Sequence, residues 1–446
     1  MKKKLILINP VGQKSGLLLS KFSAYPPLSL AYVAALTPDY WDVEIIDENM
    51  EEFSYKEADL VGITSFTANI NRAYEIAGIY RSKGIKVILG GIHASMLPDE
   101  AVNYVDSVVV GEAELIWQKV IEDFENNVLK QKYHGPVVSL RDYHILPRRD
   151  LLSNKYLWGT IQTSRGCPFG CDFCSVSRYL GKDYRQKKTE DILDELEKIE
   201  NKYIIFLDDN LVGYGKSSEE NAIKLFKGML KRNIKKKWCM QTSINTGENE
   251  EVLKYAAKSG CIYALVGIET ISKESLKDMK KGINLKIGID NFKNIIGKFH
   301  KYGIGVLGAF ILGNDYENAK YFKELSDFIV RAGVDVAQIT ILTPLPGTSL
   351  FDRLQSEGRL KHTNFPDDWV KYRFSHLVHE PKGINEKELY KGNNYIKSRI
   401  YSPYGFFFRM VRTLFSLKRF DSFMAIYHLN KAFKKGWQNS HYYNMP

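Results

Sequence analysis

Two successive series of alternating strand and helix patterns constrain the fold of this chain more than any other feature. In the first series, short apolar runs alternate with stretches in which apolar residues recur every three to four positions. The runs are "LILINP", "VEIID", "ADLVGITSF", "IKVILGG" and "SVVVGE". Continuous apolar runs joined by helices are typical of a parallel sheet that is covered on both faces. The sequence therefore predicts an α/β fold that begins, over residues 1–135, with a doubly wound parallel sheet.

A second series begins near residue 159. Its strand patterns are "LWGTIQTS", "YIIFLDDN", "WCMQTSI", "IYALVGIE", "VLGAFILGN" and "VAQITILTP". Six strand and helix units predict a partial (β/α)6 barrel of the TIM type over residues 159–380. Residues 136–158, with two prolines and Arg148 and Arg149, are predicted to be a linker. Residues 381–446 are predicted to form a helical C-terminal region.

Three of the five cysteines lie in one loop after the first barrel strand, "TSRGCPFGCDFCSV". Cys167, Cys171 and Cys174 form a C-x3-C-x2-C pattern, which is typical of a metal site. A closed zinc site needs a fourth Cys or His nearby, but the next cysteine is Cys239 and the next histidine is His300. A four-iron cluster on three thiolates keeps one iron open for a ligand. The pattern therefore favours a catalytic iron–sulfur cluster.

The motif, with "SRG" ahead of it and an aromatic residue before its last cysteine, resembles that of the radical S-adenosylmethionine (SAM) enzymes. The resemblance implies that the open iron of a [4Fe-4S] cluster chelates SAM. One electron from the cluster then cleaves SAM to methionine and a 5′-deoxyadenosyl radical, which abstracts hydrogen from a substrate. An external one-electron donor such as flavodoxin or ferredoxin would supply that electron.

Several chemically capable residues stand at the predicted carboxyl ends of the barrel strands, where barrel active sites gather. By the same resemblance, the main chain near Phe173 meets the adenine of SAM, the segment Asp208–Asn210 handles its amino group, and Glu269 lies near its ribose. A helix cap for Asp209 or Asn210, and a capping or ion-pair role for Glu269, are the alternatives. No residue is singled out as a catalytic acid or base. The expected cofactor-binding residues of the barrel are Phe173, Asp208, Asp209, Asn210, Gln241 and Glu269.

The first sheet offers a second crevice, because doubly wound sheets bind ligands at the carboxyl ends of their strands. Glycines there allow a large ligand to approach the backbone. We expect a cofactor to lie against Ser65, Thr67, Gly90, Gly91, His93, Gly111 and Glu112.

An N-terminal sheet of this size before a radical SAM loop resembles the cobalamin-binding radical SAM enzymes. The resemblance continues through "GGIHASMLPDE", "GEAE", "LPRRDLL", "FLDDN", "GIET" and "LTPLPGTSLF". It implies that the crevice holds cobalamin, which would donate a methyl group to a substrate radical. We therefore predict a methyltransferase that acts on an unactivated carbon and uses two SAM molecules per methyl transferred.

One departure from the better-known cobalamin domains concerns the ligand below cobalt. Those domains carry D-x-H-x-x-G, whereas the loop "NPVGQKSG" has neither the Asp nor the His. No axial histidine is therefore expected. His93 is expected to pack on the nucleotide tail or to make a structural hydrogen bond. A degenerate domain that binds no cobalamin is the alternative.

The charge, the other two cysteines and the N-terminal segment limit which partners and which cellular location are expected. The net charge of +11 comes from dispersed lysines with no RNA-binding signature, so nucleic acid is not an expected partner. Cys239 and Cys261 lie in apolar runs and are expected to be buried thiols. "MKKKLILINPVG" is too short for a signal sequence, and no apolar stretch is long enough to span a bilayer. We expect a cytoplasmic protein.

The C-terminal region contains "SPYGFFFRMVRTLFSLKRFDSFMAIYHLNKAFKKGWQ", which is basic and aromatic at helical spacing. Such a segment covers a barrel, contacts a membrane surface or forms a lid. Together with "TNFPDDW" and "HLVHEP", it resembles the C-terminal part of a group that includes hopanoid methylases and the anaerobic tetrapyrrole cyclase. The resemblance implies a bulky apolar substrate, either a small molecule or a lipid-like one, and peripheral membrane contact. Three alternatives are weighed. One is the same cofactors used for cyclisation or rearrangement, and another is a sensor without catalysis. The third, methylthiotransfer to RNA, is disfavoured because that family has three further cysteines in its N-terminal domain, whereas residues 1–166 contain none.

Overall fold

The computed structural model describes residues 2–12 and 24–438. Its first part is a six-stranded parallel sheet with strand order β2-β1-β3-β4-β5-β6. The five strands read from the sequence are present, and the sixth, β6, was not predicted. The elements of this part are β1 (Lys3–Asn9), α1 (Leu28–Leu36), β2 (Trp41–Asp47), β3 (Leu60–Thr64), α2 (Ile70–Arg81), β4 (Lys86–Gly90), α3 (Ile92–Met96), α4 (Pro98–Ala101), β5 (Ser107–Gly111), α5 (Trp117–Glu125) and β6 (Lys132–Gly135).

Both faces of this sheet are covered, as its continuous apolar strands require. Ile6 and Ile8 of β1 point into one core, and Leu5 and Leu7 point into the other, because side chains alternate along a strand. All four are at most 1% exposed. The predicted doubly wound parallel architecture is therefore confirmed.

The second sheet contains the six predicted barrel strands in sequence order, all parallel, from β7 at one edge to β14 at the other. No pairing between β7 and β14 occurs among the described residues, so the barrel is open as predicted. The strands are β7 (Trp158–Ile161), β10 (Tyr203–Phe206), β11 (Lys237–Ser243), β12 (Cys261–Glu269), β13 (Gly305–Leu312) and β14 (Val336–Ile341). The helices that follow them are α7 (Thr189–Lys198), α8 (Lys216–Lys231), α9 (Glu250–Ser259), α10 (Lys273–Asp278), α11 (Gly282–Ile287), α12 (Phe292–Lys301), α13 (Tyr321–Ala332) and α14 (Ser349–Ser356).

Three short elements surround the cysteine loop and were not predicted. Strands β8 (Ser164–Arg165) and β9 (Arg185–Gln186) pair antiparallel, and α6 (Val176–Tyr179) lies between them. They close the loop at its base.

The chain returns to the first sheet after the barrel. Phe351, Trp369 and Tyr372 join the core formed by α2 and the sheet, and a 3-10 turn at Asp367–Lys371 carries the tryptophan. The indole Nε1 of Trp369 donates a hydrogen bond to Glu100 at 2.8 Å. One face of the N-terminal sheet is thus completed by residues that the sequence assigned to the barrel.

Three C-terminal helices follow: α15 (Glu386–Tyr401), α16 (Pro403–Leu417) and α17 (Phe420–Gln438). Leu417 and Ile426 pack on the inner side chains near the beginning of the barrel strands, among them Cys239 and Tyr263. Lys237, the first residue of β11, pairs with Asp421. Helices α16 and α17 therefore plug the amino end of the barrel, opposite the cysteine loop, whereas α15 packs on α13. None of the described helices is long and apolar enough to cross a membrane.

Candidate active site

The cysteine loop is closed at its base by a position that only glycine can occupy. Gly166 has φ of +86°, and a Cβ there would stand 2.2 Å from the carbonyl oxygen of Asp183. The next amide, Cys167 N, donates a hydrogen bond to Gly181 O at 3.2 Å. Because left-handed backbone costs other residues free energy, this glycine fixes the path of the loop.

The three cysteines are free thiols and lie together. Cys171 is buried, and Cys167 and Cys174 are half-buried. Burial raises the pKa of all three thiols, that of Cys174 to about 12, and the neighbouring Cys171 adds to the rise at Cys174. Ligation must therefore displace protons from these thiols.

The donor set fits a cluster better than a single metal ion. Among residues 2–12 and 24–438, no three His, Cys, Asp or Glu side chains are arranged to hold one ion. The loop instead supplies three sulfur ligands on a short, glycine-closed backbone, which is the ligand set of an iron–sulfur cluster with an open iron. Nothing in this geometry conflicts with the cluster expected from the sequence.

A buried lysine that was not predicted faces the cysteines. Lys281, in the turn between α10 and α11, places its ammonium 2.7 Å from Glu269 Oε1 and 6.0 Å from the centroid of the Phe173 ring. Burial by itself would lower the lysine pKa, but the charges of Glu269 and Cys171 outweigh it and raise the pKa. The ammonium therefore stays charged. In the sequence Lys281 follows Lys280 in "KDMKKGIN", a pattern typical of a solvated surface.

Glu269 itself stands in a strained backbone. Its φ is +64°, and the pairing of β12 with β13 shifts register between Gly267 and Glu269. Asn284 fixes this bulge, since its Nδ2 donates to Gly267 O at 3.0 Å and to Ile268 O at 2.9 Å. Non-glycine residues keep such a conformation only where the surroundings impose it, and such sites cluster at functional positions.

The segment Asp208–Asn210 divides into two anchors and one open carboxylate. Asp208 is fully buried and accepts hydrogen bonds from Thr163 Oγ1 at 2.7 Å and from Ser164 Oγ. Asn210 Nδ2 donates to Ser243 Oγ at 2.8 Å. Both residues therefore hold the loop from behind. Neither Asp209 nor Asn210 is a helix cap, since the cap residue of α8 is Gly215.

Asp209 differs from its two neighbours. Its side chain is exposed, and its carboxylate makes no hydrogen bond to another side chain among the described contacts. Partial enclosure by protein and then the charge of Asp208 raise its pKa to about 6. After burial, its charge also raises the pKa of the Cys167 and Cys174 thiols, which places it beside them. It is the member of the segment that is open to a ligand.

Two further predicted residues line the same space. Gln241 is half-buried and lies two positions after Cys239, which belongs to the inner cluster, so both share the inner face of β11. Phe173 packs against Met279, Leu342 and Leu350. Cys239 and Cys261 are at most 1% exposed, which confirms them as buried thiols.

The crevice of the first sheet lies at the carboxyl ends of β3, β4 and β5. Phe66, directly after Ser65, is 67% exposed there. Gly91 has φ of +93°, and a Cβ there would stand 2.8 Å from Ser65 N and O, so this glycine serves close packing between strand ends. An exposed aromatic ring beside small residues fits a flat macrocycle.

Two other glycines complete the floor of this crevice. A Cβ added to Gly90 would meet only ordinary contacts. The Gly111 amide donates a hydrogen bond to Ser95 Oγ at 3.0 Å, which ties the end of β5 to α3. The loop "NPVGQKSG" lies outside the described residues from position 13 onward.

His93 is held inside the wall of this crevice. It is 0% exposed, its Nδ1 lies 3.2 Å from Thr67 Oγ1, and its Nε2 lies 3.2 Å from Glu100 Oε1. Both ring nitrogens have protein partners, which fits the expected structural hydrogen bond. Thr67 is likewise buried, so these two residues support the crevice from behind.

Glu112 joins the two crevices. Arg165, just before the cysteine loop, reaches Glu112 Oε2 at 2.9 Å, and Arg185 of β9 pairs with Oε1. Burial would raise the pKa of Glu112, but the hydrogen bond from Arg185 and the two arginine charges lower it. Glu112 was predicted to contact a cofactor, whereas here both of its oxygens hold arginines that bind the first sheet to the loop.

Two other contacts bring the crevices together. Helix α6 of the cysteine loop packs on α3 of the first domain, and Tyr179 OH lies 3.5 Å from Gly111 O. Gly347, after β14, approaches α3 so closely that a Cβ would stand 2.5 Å from Met96 Sδ. The carboxyl ends of both sheets therefore face a common boundary.

Comparison with known protein families matches both halves of the chain. The profile of the Radical SAM superfamily matches residues 161–329. The profile of the B12 binding domain matches residues 16–121. The two cover the cysteine loop with most of the barrel, and the first sheet.

Curated relatives extend over nearly the full length. Bacteriochlorophyllide d C-12(1)-methyltransferase of Chlorobaculum tepidum is 30% identical over 422 residues, which are 89% of this chain and 89% of the relative. Hopanoid C-2 methylase of Rhodopseudomonas palustris is 29% identical over 79% of this chain and 68% of the relative. The anaerobic magnesium-protoporphyrin IX monomethyl ester cyclase of Cereibacter sphaeroides is 24% identical over 88% and 69%.

Two solved structures share the fold. The methyltransferase TsrM from Kitasatospora setae has a TM-score of 0.72 at 16% identity and covers 90% of both chains. The cobalamin-dependent SAM radical enzyme OxsB has a TM-score of 0.71 at 16% identity and covers 97% of this chain and 71% of that one. At this identity the likeness concerns the fold, and it confirms the expected two-sheet architecture with a helical C-terminus.

Proposed function

The chain belongs to the cobalamin-dependent radical SAM methyltransferase family, and we propose that it methylates an unactivated carbon of a bulky, largely apolar small molecule. Its cofactors are a [4Fe-4S] cluster, SAM and cobalamin. When bound, these groups supply a 5′-deoxyadenosyl radical from one SAM and a methyl group from a second. The protein's task is to place one substrate carbon within reach of both.

The proposal rests on the boundary shared by the two crevices. Helix α6 begins just after the last cysteine and packs on α3, beside the strand ends of the first sheet. The Arg165–Glu112 pair spans the same boundary. A substrate seated there would lie between the cysteine loop and the exposed ring of Phe66. This arrangement of the two crevices is the observation that supports a reaction in which both cofactors act on the same substrate molecule.

Around the cluster, the chain's own residues would bind, balance charge and exclude water. Cys167, Cys171 and Cys174 would be the ligands. The ammonium of Lys281 offsets the negative charge of the thiolates, and Glu269 orients that ammonium through the 2.7 Å contact. Phe173 and its apolar neighbours keep water from this side of the loop.

For SAM, the residues open to a ligand are proposed contacts. The carboxylate of Asp209 would accept hydrogen bonds from the SAM ammonium. Gln241, on the inner face of β11, would offer its amide as a polar contact, and the backbone at Phe173 would meet the adenine. Glu269 would reach the ribose only with the oxygen that Lys281 leaves unused. Asp208 and Asn210 would position Asp209 from behind.

In the first domain, the residues that reach the surface of the crevice are the proposed cobalamin contacts. Gly90, Gly91 and Gly111 at the strand ends are half-buried, and Phe66 would lie flat against the corrin. Ser65 is 3% exposed and its Oγ donates to Phe66 O, so it would hold this ring in place from below. Thr67, His93 and Glu112 would support this wall without touching the cofactor, because their polar atoms already have protein partners.

An apolar substrate is supported by exposed aromatic side chains near the barrel strand ends. Two of them come after β10 and β13, and Phe374 lies beside the end of β14, where its carbonyl accepts a hydrogen bond from Ile341 N at 2.8 Å. Tyr214, Tyr316 and Phe374 are each at least 45% exposed, and Phe169 packs edge-on against Tyr214 at 5.5 Å. Relatives are named for bacteriochlorophyllide, hopanoid and magnesium-protoporphyrin chemistry, which concerns large, mainly apolar ring systems. Exposed aromatic rings at a mouth favour such ligands.

The remaining proposals concern organisation and partners. Residues 1–135 would be the cobalamin-binding domain, 136–158 the linker, 159–380 the barrel and 381–446 the helical region, with part of 351–378 serving the first domain. We propose a small-molecule substrate, a flavodoxin or ferredoxin as the external reductant, a cytoplasmic location and peripheral contact with a membrane surface.

The test combines an assay for the radical with an assay for methyl transfer. Reconstituted protein with SAM and dithionite under anaerobic conditions should release 5′-deoxyadenosine, and a triple Cys167→Ala, Cys171→Ala, Cys174→Ala variant should bind no cluster and release none. A strain in which the gene is deleted should accumulate a compound that is lighter by one CH2 unit than the corresponding product of the parent strain. Retention of iron and SAM cleavage by the triple variant would refute the assignment of the loop.

Product mass also separates the main alternative. Because one relative is named as a cyclase, a cyclisation or rearrangement with the same cofactors would release deoxyadenosine without adding carbon to the product. A sensor without catalysis would release no deoxyadenosine at all.

A further inference from the structure

Helix α16 exposes an aromatic face. Tyr404 is 74% exposed, Phe407 61%, Phe408 50% and Phe415 72%. Leu414 is 43% exposed on the same side, and Phe420, which opens α17, is 73% exposed. The five residues that belong to α16 are spaced three, four and seven positions apart, which places them on one side of that helix, and Phe420 follows three residues after its end. We call this set, Tyr404, Phe407, Phe408, Leu414, Phe415 and Phe420, the α16 face.

The opposite side of the helix is firmly attached, so the exposure is not a sign of loose packing. Met410 and Leu417 are buried in the inner cluster of the barrel. Thr413 Oγ1 donates to Asp335 Oδ1 at 2.7 Å, and Arg409 donates to the carbonyl oxygen of Asp335. The protein therefore presents these rings to its surroundings on a rigid support, and a contiguous exposed apolar patch of this kind marks an interaction site.

Basic side chains are frequent in the two helices that carry the α16 face. On α17, Lys434 lies over the ring of Phe406 at 5.8 Å and Lys431 over that of Tyr427 at 5.5 Å, where α17 packs on the inner side of α16. Lys418 stands exposed at the end of the helix. Residues 403–438 contain seven Lys or Arg and a single acidic residue, Asp421, which Lys237 and Arg419 engage. The two helices that carry the face are therefore basic, and Lys418, Lys431 and Lys435 are their exposed lysines.

We propose that the α16 face lies in the surface of an anionic lipid bilayer, with the rings among the acyl chains and the lysines at the headgroups. Aromatic residues on one side of a helix with lysines beside them match such an interface in both polarity and charge. A second copy of this chain is disfavoured as the occupant, because two-fold contact through this face would bring its lysines against themselves. The proposal goes beyond the proposed chemistry and does not depend on it.

The position of the α16 face in the fold determines how the active-site mouth would be oriented relative to the bilayer. Helices α16 and α17 cover the amino end of the barrel, where Arg419 donates to Cys261 O at 2.9 Å at the first residue of β12. The cysteine loop lies at the other end of the strands. A bilayer on the α16 face would thus hold the protein with its active-site mouth turned away from the lipid, so docking would anchor the enzyme rather than deliver substrate directly.

The test measures sedimentation of the full chain with vesicles. We expect binding to phosphatidylcholine vesicles that contain phosphatidylglycerol, weaker binding to phosphatidylcholine alone, and weakening by salt. The Phe407→Ser, Phe408→Ser, Phe415→Ser variant should bind these vesicles at least about tenfold more weakly than the parent. A control variant with Tyr40→Ser, Val128→Ser and Val137→Ser, which removes apolar groups exposed elsewhere, should bind like the parent.

A second variant guards against failure of the first to fold. Lys418→Glu, Lys431→Glu, Lys434→Glu keeps every ring and should lose the preference for phosphatidylglycerol. Equal binding of all variants, or no binding of the parent, would overturn the proposal. A parent that forms dimers in light scattering, separated by the triple serine variant, would show that the face belongs to a second copy instead.

Discussion

The ammonium of Lys281 lies 2.7 Å from the carboxylate of Glu269, a residue whose backbone holds φ of +64° at the end of a barrel strand. The pair is buried beside the three cysteines, with 11% and 9% of its side chains exposed. Buried ion pairs of this kind contribute little net stability, because desolvation offsets the attraction. Their retention beside a cluster site therefore points to an electrostatic role.

Replacing Lys281 by methionine should lower the reduction potential of the reconstituted cluster. The change removes a positive charge and leaves Glu269 uncompensated, and a unit charge a few ångströms away is worth a few kcal/mol, or on the order of 100 mV. An EPR-monitored redox titration measures the shift. Lys281→Arg should stay near the parent value, and Lys281→Met with Glu269→Gln should recover part of it. An unchanged potential in the methionine variant would leave the pair with a purely structural role.

Gly166→Ala should abolish cluster assembly. The added Cβ meets Asp183 O at 2.2 Å in a left-handed backbone, so the loop must open at a cost of at least about 1–3 kcal/mol. Gly170, directly before Cys171 in the motif, offers the matched control, because a Cβ there meets nothing within 4 Å. Iron content after reconstitution should fall for Gly166→Ala and hold for Gly170→Ala, and equal iron in both would contradict this account of the loop.

Glu112→Gln should destabilise the protein by about 3 kcal/mol, because it leaves Arg185 without its anion and Arg165 with Glu114 alone. The folded-state pKa of Glu112 lies below its ordinary 4.5. The stability that ionised Glu112 contributes is therefore fully present above its ordinary pKa of 4.5, and it is lost as the pH falls through the lower pKa of the folded state. Thermal melts of parent and variant should differ at neutral pH and converge on acidification.

The exposed pair of Arg148 and Asp150 provides the comparison for that experiment. Its side chains are 45% and 60% exposed. Asp150→Asn should change the melting temperature little, since solvent screens exposed pairs. If Asp150→Asn lowered the melting temperature as much as Glu112→Gln does, burial of the Glu112–arginine contacts would not be the cause of their larger contribution to stability.

Asp209→Asn should weaken SAM binding without loss of iron. With a pKa of about 6, the parent carboxylate takes up a proton as the pH falls below that value, and SAM affinity should decline over the same range. The asparagine variant should show a flat profile there. Anaerobic equilibrium dialysis with labelled SAM measures both, and Asp183→Asn, at an exposed aspartate of the same loop region, is the control. A parallel decline in the variant would assign the pH dependence to another group.

Much of the fold follows from local pattern. The eleven strands expected from the sequence are all present, because apolar β-branched runs have few other ways to be buried. Strand β6, "KYHG", was missed since it is a short, polar edge strand whose pairing with β5 depends on tertiary contact. The cysteines were readable because ligand spacing is local.

The rest of the site depends on contacts between distant segments. Lys281 resembles a surface lysine until the fold brings it to Cys171, which lies far earlier in the chain. Glu112 and His93 stand at strand ends as predicted, yet their partners, Arg185 and Glu100, could not be inferred from spacing. Position along a strand predicts where a side chain lies, whereas its partners decide whether it is open to a ligand.

The return of Phe351, Trp369 and Tyr372 to the first sheet limits how this protein can be recombined. A chimera that grafts residues 1–135 onto another barrel would leave one sheet face without its tryptophan and Glu100 without the indole donor. Exchange of cobalamin modules between relatives should therefore succeed only when the segment 351–378 travels with the sheet. The first domain as a structural unit therefore includes residues that are encoded more than 200 positions after its sheet.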